Sequence, residues 1–112
     1  MRNRGRPKKY RIVGLDPKIR QFSPRGRPGR PDEVDLAVDE FEAVRLADSM
    51  GFSQKEAAKH MHISQQTFSR IIKKAHKSVA NALVSGKIIK IQGGYYVISS
   101  REEIPPKASK SQ

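Results

Sequence analysis

The sequence contains no cysteine, so disulfide bonds and thiolate zinc sites are excluded. Long apolar runs are also absent, because no stretch approaches the roughly 20 residues that a membrane-spanning helix requires. The basic N-terminus lacks the apolar segment of a secretory signal peptide. We therefore expect a cytoplasmic protein.

Acidic residues are scarce, since 11 Asp and Glu accompany 23 Lys and Arg and leave a formal net charge of +12. This balance favours a polyanionic partner, because each Lys or Arg held near a phosphate releases a condensed counterion. The charge alternates along the chain, with +10 over residues 1–30, −6 over 31–52 and +7 over 53–92. The acidic block predicts a helix turned away from the phosphates, or one that neutralises a basic neighbour within the fold.

At 112 residues the chain has room for one small domain, which we expect between residues 10 and 99. Residues 1–9 lack large apolar side chains beyond Met1, so they predict a disordered basic arm, and residues 100–112 predict a disordered tail. The segment Tyr10 to Leu15 could form a short strand. Three prolines between Ser23 and Pro31 predict an extended loop.

Within that domain the pattern predicts a mainly α fold, a trihelical helix-turn-helix domain with a small C-terminal β-hairpin. The helices are expected at about 39–50, 54–61 and 65–85, with Asp39, Ser53 and Ser64 as their N-caps. Gly86 is the expected stop of the third helix. That helix places Phe68, Ile71, Ile72, Ala75, Val79, Ala82 and Leu83 on one apolar face. The hairpin is expected at about 87–99, turning at Gly93-Gly94.

The segment from Gln54 to Lys73 meets the steric demands of a helix-turn-helix. Ala58 is small enough for the contact between the two helices. Apolar side chains stand where the helices and turn need them, at Met61, Ile63, Phe68 and Ile71. The turn itself carries His62 where glycine fits best, but histidine is among the residues enriched at positive φ.

The N-terminal turns of such a second helix meet base edges in the major groove of duplex DNA. Glutamine can pair bidentately with adenine and arginine with guanine. The predicted base contacts are Ser64, Gln65, Gln66, Ser69, Arg70 and Lys73, and the predicted backbone contacts are Lys74, Lys77 and Lys55. The alternative is that the three helices make an ordinary trihelical contact and that the basic face is merely solvated, with no role in DNA binding.

The tetrapeptide R-G-R-P occurs twice and resembles the core of an AT-hook, which lies in the minor groove of A·T-rich DNA. The first copy belongs to a possible minor-groove arm with Arg4, Arg6, Lys8 and Lys9, although a nonspecific basic tail explains it equally well. The second copy, which begins at Arg25, is better explained as a structural loop. These segments support the alternative of a nonspecific architectural protein binding DNA or RNA.

The remaining polar clusters predict neither a metal site nor an active site. His60, His62 and His76 stand in or beside the motif, but no carboxylate or thiol lies at metal-ligand spacing. Glu40 and Glu42 most simply belong to the solvated face of the first helix. We expect no metal, no cofactor, no small-molecule ligand and no enzymatic activity. A protein adaptor using the acidic helix and the hairpin is a third alternative.

Residues Phe41 to Gly94 resemble an uncharacterised prokaryotic family, domain of unknown function 134, in the strings LAD, SQKEAA, SQQTFSRI and ALVSGK. The family's motif is similar to the helix-turn-helix of sigma-factor region four. The resemblance implies a transcriptional regulator, associated with the nucleoid, that binds double-stranded DNA. The chain departs from the family at His62, where glycine is usual, and at Gly14, where cysteine is common. A homodimer is possible, with the hairpin as its candidate surface.

Overall fold

The computed structural model describes residues 10–26, 29 and 31–99. The predicted arm with Arg4, Arg6, Lys8 and Lys9, the predicted tail and part of the second R-G-R-P lie outside these residues. The mainly helical fold class is confirmed, with three helices and two short strands near the C-terminus. In chain order the elements are β1 (Arg11–Val13), β2 (Gln21–Phe22), β3 (Glu33–Leu36), α1 (Val38–Val44), α2 (Gln54–Met61), α3 (Gln65–Ser85), β4 (Ile88–Ile91) and β5 (Tyr96–Ile98).

Helices α2 and α3 begin at side-chain caps. The Ser53 hydroxyl accepts from the Glu56 N–H at 3.1 Å, and the Glu56 carboxylate accepts from the Ser53 N–H at 3.0 Å. The Ser64 hydroxyl accepts from the Thr67 N–H at 3.0 Å. These bonds satisfy amides that a helix start leaves unpaired. Helix α3 ends at Gly86, which has left-handed φ and ψ.

Helix α1 differs from its prediction at both ends. Its N-cap is Ala37, not Asp39, and the Ala37 N–H donates to the Glu40 carboxylate at 2.9 Å. The expected continuation to residue 50 is a π-helical segment, Arg45–Ser49, in which the Met50 N–H donates to the Arg45 carbonyl. Sequence periodicity could not anticipate this change, because α- and π-turns place apolar residues on similar faces over a single turn.

The strands around Gly93-Gly94 are present, but they do not pair as the predicted hairpin. Strand β4 is central in a sheet of order β2-β4-β3, antiparallel to β2 and parallel to β3, whereas β5 pairs in parallel with β1. Both edges of β4 are therefore paired, and the chain that follows Gln92 cannot form a hairpin with it. The Gly93 carbonyl instead accepts from the Val38 N–H at 2.9 Å, which carries the connection past the start of α1.

The apolar core consists of two adjoining groups that α3 joins. One lies between α1, α2 and α3, around Leu46, Met61 and Phe68. The other lies between α1, α3 and the strands, around Val13, Val38 and Ile91, and includes Ala75 of α3. The first half of α3 therefore packs on α2, and the middle of the helix packs against the strands.

Two expectations about exposure are wrong. Glu40 and Glu42 are buried rather than solvated, together with Asp39. Leu83 was expected on the apolar face of α3, but it is 74% exposed. It lies about 75° from the centre of the buried stripe at 100° per residue, near the end of the helix. Of the helices that the structure describes, none combines the length and the apolar composition of a membrane-spanning segment.

Candidate nucleic-acid interface

The turn between α2 and α3 is fixed by backbone hydrogen bonds from His62 and Ile63. His62 has φ 58° and ψ 43°, the left-handed conformation, and is the one non-glycine residue with positive φ in the described part of the chain. The His62 N–H donates to the Lys59 carbonyl at 3.1 Å, and the Ile63 N–H donates to the Ala58 carbonyl at 3.0 Å. The turn is thus closed despite the absence of glycine.

Packing beneath the turn sets the position of α3 against α2. Ala57 and Ala58 are buried and present little side-chain volume, so the two helices can approach closely. Met61 and Phe68, both without exposed surface, fill the space on either side of the turn, and Ile63 packs on the same group. The side chains that sequence analysis assigned to the core of the motif therefore form it.

Every predicted contact residue on α3 and its cap is exposed. Gln65, Gln66, Ser69, Arg70 and Lys73 lie on the outer side of α3. Within the described residues, the structure shows no hydrogen bond or ion pair from these five side chains, so their donors and acceptors face solvent. Lys77 lies one turn beyond Lys73 on the same side, and Lys55 is exposed on α2.

Two predicted contact residues already have intramolecular partners. The Ser64 hydroxyl accepts from the Thr67 N–H and lies 2.9 Å from the Thr67 hydroxyl, so it caps α3. The Lys74 ammonium lies 3.4 Å from the Glu40 carboxylate. These contacts leave Ser64 and Lys74 less available to a ligand than Gln66 or Arg70.

The charged side chains of α3 are all basic. The helix carries Arg70, Lys73, Lys74 and Lys77 and no acidic residue. Two of the three acids of α1 do not offset this face, because they are buried in other ion pairs: Asp39 with Arg11 at 2.9 Å and Glu42 with Arg45 at 2.7 Å. The third acid, Glu40, offsets only Lys74. The acidic block of the sequence therefore neutralises basic neighbours within the fold, which was one of its two predicted roles.

This buried network was not predicted from the sequence, although the spacing of Glu42 and Arg45 was a usable signal. Residues three apart on a helix lie side by side. The Arg45 guanidinium donates to both Glu42 oxygens, at 2.7 and 2.8 Å, and the Gly14 N–H donates to one of them at 2.9 Å. The long-range contacts from Gly14 and Arg11 have no local signature in the sequence.

Each of the three histidines makes a different contact. The His60 ring packs on Phe52, with ring centroids 4.9 Å apart, and His76 pairs with Asp48 at 2.7 Å. His62 occupies the turn. In the part of the chain that the structure describes, no group of three or more His, Cys, Asp or Glu side chains converges as a metal site would require.

The described chain begins at Tyr10, beside β5. The Tyr10 ring stacks on Tyr95 with centroids 4.3 Å apart, and desolvation and the Tyr10 hydroxyl raise the pKa of Tyr95 above its ordinary value of 10. The next residue, Arg11, binds Asp39 at the start of α1. Asp39 is adjacent to Glu40, which binds Lys74 of α3. A short chain of contacts therefore connects Arg11, at the start of β1, to the basic side of α3.

Comparison with known proteins finds relatives across most of the chain. Residues 1–99 match the family described as "Protein of unknown function DUF134". A "UPF0251 protein" of Prosthecochloris aestuarii is 52% identical over 100 residues, which cover 88% of this chain and 63% of that protein. One of Desulfosudis oleivorans is 50% identical over 93 residues, or 82% and 67% of the two chains. The chain thus spans about two thirds of these relatives. No solved structure matches it.

Proposed function

Because this chain belongs to the family described as protein of unknown function DUF134, a description that assigns no activity, we propose its function from the geometry of α2 and α3. The protein binds duplex DNA in a sequence-specific manner and regulates transcription, with α3 in the major groove. Its action is binding without catalysis, and its place is on the nucleoid.

The observation that carries this proposal is the row of unpartnered polar side chains on α3. Gln65, Gln66, Ser69, Arg70 and Lys73 are exposed, and the described structure gives them no competing hydrogen bond or ion pair. Their donors and acceptors match those on base edges, since glutamine suits adenine and arginine suits guanine. A helix with a closed turn and buried contacts beneath it holds them in fixed register, as readout requires.

The charges around this row support contact with the DNA backbone. Lys77 continues the row just past the middle of α3, and Lys55 stands near the start of α2. Phosphate contacts orient a protein on the duplex but carry no sequence information. We therefore assign Lys77 and Lys55 to the backbone, with Lys74 as a weaker contact because Glu40 competes for its ammonium.

The test compares Arg70→Ala with Lys77→Ala. Selection from random duplex DNA first gives the preferred site, and titrations then measure affinity on that site and on scrambled DNA. Arg70→Ala should cost about 1 to 3 kcal/mol on the preferred site and relax one base preference. Lys77→Ala should weaken all sequences alike and reduce the salt slope by about one.

Lys90→Ala is the matched control, because it removes one positive charge from β4, where the ammonium pairs with Glu33 at 3.7 Å. It should change affinity little. Equal losses for Arg70→Ala on every DNA, or no enriched sequence, would refute sequence-specific readout. If Arg70→Ala left binding intact while deletion of residues 1–9 abolished it, the nonspecific architectural or RNA-binding alternative would replace the proposal.

A further inference from the structure

A group of exposed apolar side chains lies away from the basic residues of α3. Leu15 is 45% exposed, Ile19 64%, Phe22 54% and Leu83 74%. Phe22 belongs to two grooves at once, one with Leu83, Pro24 and Ile89 and the other with Leu15, Ile19 and Phe41. The grooves therefore form one continuous surface, here called the Phe22 surface and defined by Leu15, Ile19, Phe22 and Leu83.

We propose that the Phe22 surface binds a second copy of this chain and forms a symmetric dimer. The first argument is area: an aromatic side chain buries about 150–250 Å², and at the lower end of that range, which suits leucine and isoleucine, the four exposed fractions leave on the order of 400 Å² of apolar surface. A standard interface buries about 800 Å² per partner, slightly more than half of it apolar. The Phe22 surface thus matches the apolar share of one stable interface.

The second argument is shape. In a two-fold contact each patch meets its own copy, so it must carry both the protrusion and the recess that receives it. Leu83 and Phe22 are exposed and line one groove, and the same groove is lined by buried Ala82 and by half-buried Gly86 and Ile89. A rotated copy can place its Leu83 in this recess while offering its own recess in return.

The third argument is charge. A monomer with a net charge of +12 repels its copy, so two chains can meet only where the local charge is low. The nine residues from Ser78 to Gly86 carry no charge, whereas the eight residues from Arg70 to Lys77 carry four basic side chains. The end of α3 that carries Leu83 is therefore the part of this helix that a second copy can approach. Of the charged residues that line the two grooves, Asp16 and Lys18 offset each other, so Lys87 leaves a local charge of +1.

The dimer constrains the DNA site, a corollary that rests on the proposed function. About 14 residues separate Leu83 from the middle of the readout row, or roughly 20 Å at 1.5 Å per residue. If the two-fold axis passes near Leu83, the two readout rows lie at most about 40 Å apart. Half-sites one helical turn apart, about 34 to 36 Å, fall within that limit, and half-sites two turns apart exceed it.

Sedimentation equilibrium on the full chain tests the dimer without DNA. We expect a dissociation constant in the micromolar range at about 0.5 M salt, and a weaker dimer at about 0.1 M, because salt screens the repulsion between copies. DNA binding has the opposite salt dependence. A failure of the dimer is therefore distinguishable from a failure of DNA binding. A chain that stays monomeric at about 200 µM in both salts overturns the proposal.

Leu83→Glu and Phe22→Glu locate the interface, and Val97→Glu is the matched control. Val97 is an exposed apolar residue on β5 that lines neither groove. Each surface variant should weaken the dimer about a hundredfold, since about tenfold is lost at each of two symmetric copies. Far-ultraviolet circular dichroism should show unchanged folding, because these side chains are exposed. A dimer that survives both variants, or that Val97→Glu alone disrupts, places the interface elsewhere and overturns the proposal.

Discussion

Replacing Arg45 by methionine should destabilise the fold strongly, because it leaves the Glu42 carboxylate buried without its counter-ion. Glu42 is 1% exposed, and the Arg45 guanidinium supplies two of its three hydrogen bonds. The third comes from the Gly14 N–H. Removing one partner of a buried ion pair costs about 3 to 5 kcal/mol, and methionine retains much of the packing of the arginine stem. We expect a loss of about 3 kcal/mol in the free energy of unfolding.

Urea unfolding followed by circular dichroism measures this loss, with Lys90→Met as the matched control. Lys90 pairs with Glu33 at the surface, so its replacement should cost less than about 1 kcal/mol. The double variant Glu42→Gln/Arg45→Met should recover most of the loss. Its neutral amide needs no counter-ion and still accepts from Gly14. If Arg45→Met cost no more than Lys90→Met, the burial argument would be refuted.

The remaining predictions concern two backbone positions. His62→Val should lower the free energy of unfolding by about 1 to 2 kcal/mol, because a β-branched residue is strained at φ 58°, whereas His62→Gly should hold or raise it by up to about 1 kcal/mol. Thermal unfolding ranks the two variants, and a more stable valine variant would contradict the argument. Gly94→Ala should cost about 1 to 3 kcal/mol, since its Cβ would lie 2.7 Å from an Asp39 oxygen at φ 105°. If the free energy of unfolding measured in urea were unchanged, the start of α1 would be able to shift away from the added Cβ, and the prediction would be wrong.

Local patterns predicted the helical elements of the candidate site. Ser53 with Glu56, Ser64 and Gly86 mark helix boundaries through bonds that reach only a few residues, and the bounds of α2 and α3 follow from them. The left-handed turn at His62 was expected for the same reason. The exposure of Gln65, Gln66 and Arg70 follows from helical periodicity once Phe68 and Ile71 are assigned to the core.

Contacts between distant segments could not be predicted in this way. Strands β2 and β3 have two and four residues, too few for alternation to distinguish them from loop. Because they pair with both edges of β4, β5 cannot pair with β4 and pairs with β1 instead. The burial of Glu42 likewise depends on Gly14, which lies 28 residues away.

Charge and helical periodicity are properties of neighbouring residues, so a basic, mainly helical chain with capped helices and a polar outer row on α3 follows from the sequence alone. Which charges remain available depends on the packing of distant segments. The tertiary structure buried the acids of α1 in ion pairs, engaged Lys74 with Glu40 and left Arg70 and Lys73 open to solvent. It also left Leu83 exposed in the groove that Phe22 lines, since only the packing of β3 and β4 against α3 decides which side of the helix is covered.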